Sequence, residues 1–240
     1  MKRWLFFVLL LTLPAEALSR SGTTREVTDD HYYERLHMVR WQIEKRGVRD
    51  KAVIKAMRTV PRHELVPPSE EDEAYSDHPL PIGHGQTISQ PYIVALMTEL
   101  LELEPDDVVL EIGTGSGYQA AILGQIVSEV VSLEIIGKLA NKARRDLERL
   151  GYKNIKVKHR DGYGGDPKEA PFDAIVVTAA ATHIPPPLLK QLKPGGIMVI
   201  PVGGKAWTQN LILVKKDEEG TITSENILPV RFVPLTRKRR

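Results

Sequence analysis

A short polar segment, GHGQTISQPY at residues 83–92, carries side chains that can bind a ligand at the start of a helix. Ser89 lies two residues before Pro91, which opens an apolar stretch with helical spacing. A serine here can cap the first helical turn through its hydroxyl oxygen, or it can present the hydroxyl to a substrate. Gly83 and Gly85 allow the preceding backbone to adopt turn conformations. The local residues leave both roles for Ser89 open.

A second segment, EIGTGSG at residues 111–117, follows an apolar run of strand length. Glycines after a buried strand permit a tight turn and let a ligand approach the backbone closely. Two acidic residues, Glu134 and Asp161, end the next two predicted strands, where carboxylates can accept hydrogen bonds from ribose hydroxyls and an adenine amino group. The alternatives are a solvated strand end for Glu134 and an Asp-Gly turn for Asp161. The residues predicted to form this nucleoside pocket are Glu111, Gly113, Thr114, Gly115, Gly117, Glu134, Asp161 and Gly162.

The glycine spacing distinguishes between two kinds of nucleoside ligand. Dinucleotide-binding loops follow the pattern G-x-G-x-x-G, so that amides at the helix start hold a pyrophosphate. Here the third glycine comes one residue earlier, and Glu111 stands inside the motif. A carboxylate beside the loop repels phosphate and attracts a cation such as the amino group or sulfonium of S-adenosylmethionine. The loop therefore favours S-adenosylmethionine over NAD.

Strands and helices must bring these residues to one edge of a sheet. Strands are predicted at 108–113, 130–135, 155–161, 172–180 and 197–203, with helices at 117–127, 138–150 and 184–192. Several of the strands are apolar throughout, which is typical of a parallel sheet covered on both faces. We therefore predict an α/β fold with a doubly wound, mostly parallel sheet. The segment from Gln209 to Thr236, with a DEEG turn, predicts a C-terminal antiparallel hairpin.

Two further regions complete the predicted architecture. Thr178, Ala179 and Ala180 end the fourth strand, and their small side chains predict a pocket wall. Upstream, residues 29–46 have helical spacing and Gly47 follows as a stop, after which Asp50 is suited to cap a short helix that ends before Pro61. Residues 61–86 contain five prolines and predict an irregular connector outside the core.

The N-terminus and the composition bear on location and partners. Lys2 and Arg3 precede a ten-residue run, apolar except for Thr12, and Ala15-Glu16-Ala17 has the form of a cleavage site, so residues 1–17 predict a secretory signal peptide. The alternatives are an apolar N-terminal helix or a misassigned start codon. The formal charge of +2 gives no electrostatic argument for nucleic acid, and without cysteine the chain forms no disulfide. No Ser-His-Asp order and no metal-ligand cluster is evident, so no metal is expected.

Several segments together resemble the protein-L-isoaspartate (D-aspartate) O-methyltransferase family. They are LPIGHGQTISQPYIVALMTELLEL, VLEIGTGSGYQAAIL, APFDAIVVTAAATHIPPPLLKQLKPGGIMVIPVG and VRFVPL, with VPRHELVP upstream. The resemblance covers about residues 30–236. QTISQP is more distinctive than the glycine loop, which many class I methyltransferases share. The N-terminal signal lies outside the usual family pattern.

The resemblance implies a class I, Rossmann-like methyltransferase that transfers a methyl group from S-adenosylmethionine to the α-carboxylate of isoaspartyl residues, leaving S-adenosylhomocysteine. Ser89 matches the family's active-site serine and is expected to orient the substrate carboxylate. Thr87 is expected on a lid that closes over donor and substrate. The substrate-binding residues expected beside them are Ile88, Thr178, Ala179, Ala180, Val202 and Val233, with Pro201, Gly203, Pro234 and Leu235 lining a peptide groove through backbone groups.

The expected organisation is a signal peptide at 1–17, an N-terminal helical region and connector at 18–82, and a methyltransferase domain at 83–240. The expected partners are proteins and peptides containing isoaspartyl residues, with no nucleic acid, no membrane span after signal removal, and a monomeric state. The chain is expected to be periplasmic or secreted if the signal is used, and cytoplasmic otherwise. Two alternatives stay open: a small-molecule carboxylate methyltransferase and a non-catalytic binder of damaged protein.

Overall fold

The computed structural model of the chain describes residues 31–204 and 208–237. The predicted signal peptide, residues 1–17, lies outside the described residues. The first helical segment starts with α1 (Tyr32–Met38), continues as a π-helical turn (Val39–Ile43) and ends in a 3₁₀ turn (Glu44–Arg46). Gly47 stops this segment with a φ of +106°, as its position predicts.

The second helix, α2 (Lys51–Thr59), begins at the predicted cap, where the Asp50 carboxylate accepts a hydrogen bond of 2.8 Å from the amide of Val53. Its apolar face is buried through Val53, Ala56 and Met57. The first helical segment thus ends at Gly47 and α2 begins at Asp50, and the local chemistry of each residue favours that position.

The connector differs from its prediction, because part of it belongs to the core. Residues 80–88 form a hairpin of β1 (Leu80–Gly83) and β2 (Gln86–Ile88), which pair antiparallel. Upstream, the buried Arg62 donates from Nε to the carbonyl of Ala74 at 2.7 Å, and its guanidinium lies 4.8 Å from the ring centroid of Tyr118. Prolines set turns in this segment but do not prevent apolar side chains between them from being buried.

The central elements follow the predicted alternation. They are α3 (Pro91–Glu99), β3 (Val108–Ile112), α4 (Tyr118–Gly124), β4 (Glu129–Glu134), α5 (Gly137–Arg149), β5 (Ile155–His159), β6 (Phe172–Val177), α6 (Pro186–Gln191) and β7 (Leu192–Val202). Strands β3 to β7 are parallel and lie in the order β5-β4-β3-β6-β7. The order reverses between β3 and β6, which makes the sheet doubly wound, as predicted.

The last strands extend the sheet without helices between them. β8 (Gln209–Lys216) pairs antiparallel with β7, and β9 (Ile222–Val230) pairs antiparallel with β8, which confirms the predicted hairpin. β7 starts earlier than predicted: Leu192 already pairs with Phe172, and the predicted turn at 193–196 is an irregularity within the strand.

The sheet is covered on both faces, so neighbouring residues of one strand enter different apolar clusters. In β3, Val109 belongs to one cluster, whereas Leu110 and Ile112 belong to the other. Glu111 lies between them in sequence and is fully buried. No helix within residues 31–204 and 208–237 is long and apolar enough to cross a bilayer.

Candidate active site

A cavity lies beyond the carboxyl ends of β3 and β6, where the strand order reverses. In a doubly wound sheet this is the place where a ligand binds. Most of the predicted pocket residues line this cavity: Thr87, Ile88, Ser89, Gly113, Thr114, Gly115, Glu134, Gly162, Thr178, Ala179 and Val233. We refer to it as the donor cavity.

The glycine loop fits closely against the end of β6. Gly113 has a φ of +101°, and a Cβ added there would lie 2.5 Å from the hydroxyl oxygen of Thr178. That hydroxyl is 2.7 Å from the carbonyl oxygen of Gly113 and 3.0 Å from that of Ile112, to which it can donate. Gly113 is therefore required by both its backbone conformation and its close neighbour.

The loop amides bear on the choice between a dinucleotide and S-adenosylmethionine. The amides of Gly113 and Thr114 donate to the carbonyl of Leu133, and the amide of Gly115 donates to a carboxylate oxygen of Glu134 at 2.9 Å. The amides of Gly117 and Tyr118 likewise donate to oxygens of Thr114 and Ser116. A pyrophosphate site needs amides that point at the ligand. Because these five donate to the protein itself, the loop suits a nucleoside without phosphates, which fits S-adenosylmethionine.

Glu134 ends β4 at the wall of the donor cavity. Its second carboxylate oxygen accepts a hydrogen bond of 2.8 Å from the amide of Ile136, so the backbone holds both oxygens in place. Each carboxylate oxygen has a further lone pair. A held carboxylate of this kind can accept hydrogen bonds from two adjacent hydroxyls, as in a ribose.

Glu111 lies behind the cavity rather than in its lining, which corrects its predicted contact with the ligand. Its carboxyl group is fully buried and accepts a hydrogen bond from Ser132, whose hydroxyl is 2.5 Å from that of Thr114. The pKa of Glu111 is raised to about 8, mainly by burial and in part by the nearby Glu134, although the Ser132 hydrogen bond opposes the shift. Glu111 is therefore linked to the cavity wall by hydrogen bonds through Ser132 and Thr114.

Two other predicted pocket residues are near the donor cavity but not in its lining. Gly117 precedes α4 with a φ of +88°, and a Cβ there would lie 3.3 Å from Leu147, so its role is conformational. Asp161 accepts a hydrogen bond of 3.0 Å from the amide of Tyr163, the Asp-Gly turn that was the alternative interpretation, while Gly162 lines the cavity. Residue spacing alone does not specify which glycine of the loop lines the cavity or where the Asp161 side chain points.

The structure bears on one of the two roles open for Ser89, the capping of α3. The cap residue of α3 is Gln90, and no side chain caps this helix. Ser89 is half-buried, and its hydroxyl has no hydrogen-bond partner among the described residues. The hydroxyl is consequently available to a ligand.

Ser89 also lines a second, larger opening, a groove of about 970 Å³ between the N-terminal region and the end of the chain. We call it the groove. The residues that line both it and the donor cavity are Thr87, Ser89, Thr178, Val233 and Pro234. A group held in the donor cavity and a chain lying in the groove would therefore meet at these five residues.

Two predicted substrate contacts differ from the structure. Ala180 donates its amide to the carbonyl of Val233 and accepts from the amide of Leu235, both at 2.8 Å, so its backbone is paired with the C-terminal segment. Val202 pairs with Asn210 and bridges to Ala181, and it lines neither the donor cavity nor the groove. The C-terminal segment itself forms the wall beside Ala180. Strand periodicity did not indicate this contact.

Some lining residues were not predicted. They are Gln86, Val94, Ile112, Ser116, Tyr118, Gln119, Leu133, Ile135, Ile136 and Thr236. Most are sequence neighbours of predicted residues, and this adjacency was the signal that could have found them. Among the described residues, no group of three His, Cys, Asp or Glu side chains could hold a metal ion.

The chain is similar to known proteins over most of its length. The family model described as "Protein-L-isoaspartate(D-aspartate) O-methyltransferase (PCMT)" matches residues 34–240. "Protein-L-isoaspartate O-methyltransferase 2" of Syntrophobacter fumaroxidans is 53% identical, over 96% of each chain. "Protein-L-isoaspartate O-methyltransferase 1" of Nitrosospira multiformis is 61% identical, over 77% of this chain and 78% of that protein.

Solved structures agree with these relatives. One protein-L-isoaspartate O-methyltransferase has a TM-score of 0.77 and 32% identity, covering 85% of this chain and 66% of that one. A putative protein-L-isoaspartate O-methyltransferase from Plasmodium falciparum, in complex with S-adenosyl-L-homocysteine, has a TM-score of 0.73 and 27% identity, covering 84% of this chain and 98% of that one. The match of the family model over residues 34–240 and the similarity to these relatives establish that this chain belongs to the protein-L-isoaspartate(D-aspartate) O-methyltransferase family.

Proposed function

We propose that the chain transfers a methyl group from S-adenosylmethionine to the α-carboxylate of L-isoaspartyl and D-aspartyl residues in damaged proteins and peptides. The observation that carries the proposal is the junction of the donor cavity and the groove at Ser89. Small-molecule sites are typically clefts or cavities that bury most of the ligand, whereas an open groove can accept a polypeptide. The family membership supports the same reaction.

The residues of the donor cavity are suited to hold the methyl donor. We assign the ribose to the carboxylate of Glu134 and the adenine side to Gly162. Bound there, S-adenosylmethionine supplies an electrophilic methyl group on its sulfonium sulfur. Thr114, held by Ser132, would keep the glycine loop in place.

The reaction needs little acid–base catalysis from the protein. A carboxylate is ionised and nucleophilic at neutral pH, so no strong general base is needed. The task of the site is to orient the substrate oxygen toward the methyl carbon and to keep water out. In our proposal the Ser89 hydroxyl donates a hydrogen bond to the substrate carboxylate and fixes its rotation, without becoming a covalent nucleophile.

The β1–β2 hairpin is suited to act as the lid. Leu80, Ile82 and Ile88 are buried, whereas the turn at Gly83, His84 and Gly85 is exposed. A Cβ on Gly115 would lie 3.4 Å from Ile82, so the hairpin packs against the glycine loop of the donor cavity. Opening and closing of this hairpin would control access to donor and substrate.

A paired assay tests the function. The chain is incubated with S-adenosylmethionine and either an isoaspartyl peptide or the same peptide with normal aspartate, and the methanol released on ester breakdown is measured. We expect methanol from the isoaspartyl peptide alone. Equal release from both peptides would refute the repair function, turnover of free acids without peptides would support a small-molecule enzyme, and peptide binding without methyl transfer would support a non-catalytic binder.

The organisation and location of the chain remain part of the proposal. We propose that residues 1–17 are a cleaved secretory signal, that 18–82 and 83–240 are the helical region and the methyltransferase domain, and that the chain is a periplasmic or secreted monomer that binds no nucleic acid. N-terminal sequencing of the protein from fractionated cells tests this. A mature protein that still begins at Met1 in the cytosol would refute export.

A further inference from the structure

The charged residues of the groove carry an inference about which damaged segments it accepts. Of the described residues that line the groove, only Arg46 and Arg231 are charged at neutral pH, and none is acidic. Ser89 lines the same groove. A polypeptide with its isoaspartyl carboxylate at Ser89 would therefore extend past positive side chains and no negative ones.

Arg46 is held in one place on the groove wall. Its Nη1 donates to an Asp77 carboxylate oxygen at 2.7 Å, and its guanidinium lies 3.4 Å from the ring centroid of Tyr92, which also lines the groove. Asp77 balances part of this charge. Arg46 thus offers a fixed but partly compensated positive group.

Arg231 differs because its charge is not compensated. It follows β9, is exposed, and makes no ion pair or hydrogen bond through its side chain with any residue in the described ranges. It lies two residues before Val233, one of the residues shared by the donor cavity and the groove. An acidic side chain near a bound isoaspartyl residue would find this guanidinium available for pairing.

We propose that the groove selects isoaspartyl segments with acidic neighbours, and that Arg231 is the main residue responsible. The inference rests on the proposed function and adds a substrate preference to it. Between partly solvated charges, attraction raises the specificity constant modestly, and salt screens it. We expect kcat/KM to be about fivefold higher for an acidic than for a basic peptide at low ionic strength, and the ratio to approach one as salt increases.

The test uses three isoaspartyl peptides of equal length with acetylated and amidated ends. Their neighbours on both sides of the isoaspartyl residue are glutamate, alanine or lysine. Full-length wild-type protein and the variants Arg231→Gln and Arg231→Glu are compared by methyl transfer, with circular dichroism to confirm folding. We expect Arg231→Gln to reduce the acidic-to-basic ratio of kcat/KM and Arg231→Glu to bring it to one or below.

Arg145→Glu is the matched control. Arg145 is an exposed residue of α5 outside the groove, so this variant changes the net charge by the same amount and should keep the wild-type ratio. A wild-type ratio of one would overturn the inference while leaving the methyltransferase proposal intact. If Arg145→Glu and Arg231→Glu lose the preference for acidic peptides equally, that preference depends on net charge. This result would overturn the role of the groove. If none of the three peptides is methylated, the proposed function itself is refuted.

Discussion

Ser89 has an uncommon situation for a half-buried serine: its hydroxyl meets no acceptor or donor in the described structure, and the helix beside it is capped at Gln90 without a side chain. A hydroxyl without a structural partner costs little to redirect toward a ligand. This is the physical basis for giving it the orienting role, because one well-placed donor contributes most when the charge it faces is partly shielded from water.

We expect Ser89→Ala to lower kcat/KM for an isoaspartyl peptide by about a hundredfold or more, because the carboxylate loses the donor that fixes its rotation. Calorimetry should show nearly unchanged affinity for S-adenosylhomocysteine. The control Ser224→Ala alters an exposed serine of β9 and should retain activity. A loss of donor affinity as large as the loss of rate would contradict the orienting role.

Among the elements, the β1–β2 hairpin combines a buried apolar face with a turn that needs unusual backbone angles. Gly83, His84 and Gly85 all have positive φ values, of +84°, +56° and +69°. Such a turn sets the geometry of the hairpin, and a Cβ at Gly85 would meet nothing within 4 Å. Its substitution therefore isolates backbone strain from packing.

Gly85→Ala should strain the closed hairpin by about 1 kcal/mol and raise the apparent Kd of the donor by up to about fivefold. Gly85→Asn, at the same place, should remain closer to the wild type, since asparagine tolerates a left-handed backbone. Donor binding by calorimetry measures both. If both correctly folded variants bind the donor with the affinity of the wild type, the hairpin does not control access to the donor cavity.

The N-terminal region also contacts the wall of the donor cavity, through Arg62. The buried guanidinium of Arg62 lies over the ring of Tyr118, which lines the donor cavity, and burial lowers the pKa of Arg62 to about 10. A guanidinium over an aromatic face is attracted by the ring's negative potential. The region upstream of the hairpin thus supports one wall of the cavity directly.

For the whole molecule, the folding equilibrium depends on pH through Glu111. Burial raises the pKa of this carboxyl group from 4.5 to about 8. Below the lower value both the folded and unfolded states bind the proton. Between the two values only the folded state does, so the free energy of unfolding falls as pH rises, and above about 8 the loss is complete.

Glu111→Gln removes the titrating group, so its stability relative to the wild type should increase between pH 5 and pH 8.5 by about 3 to 5 kcal/mol. Urea unfolding of both proteins at the two pH values measures the change, and glutamine can still accept the hydrogen bond from Ser132. A difference that is independent of pH would mean that Glu111 is ionised in the folded state throughout.

Features set by local chemistry could be predicted from the sequence, whereas contacts with distant segments could not. The strand-and-helix alternation, the Asp50 cap and the Gly47 stop were predictable because they follow from local chemistry and periodicity. The donor cavity was predictable in outline, because parallel strands bring their carboxyl ends to one edge. The contacts of Ala180 were not, since its backbone partners, Val233 and Leu235, belong to the segment after β9, and strand periodicity does not indicate where that segment folds back.

The amino-acid sequence by itself determined the fold class, the glycine loop and the types of side chain that a methyl donor needs, because these depend on short-range patterns. The tertiary structure alone decided which carboxylate faces the donor cavity: Glu134 lines it, while Glu111 lies behind it against Ser132. It also decided that Ser89 caps no helix and joins cavity to groove. The physical reason is that side-chain direction and burial depend on which distant segments pack together, and residue spacing does not specify that packing.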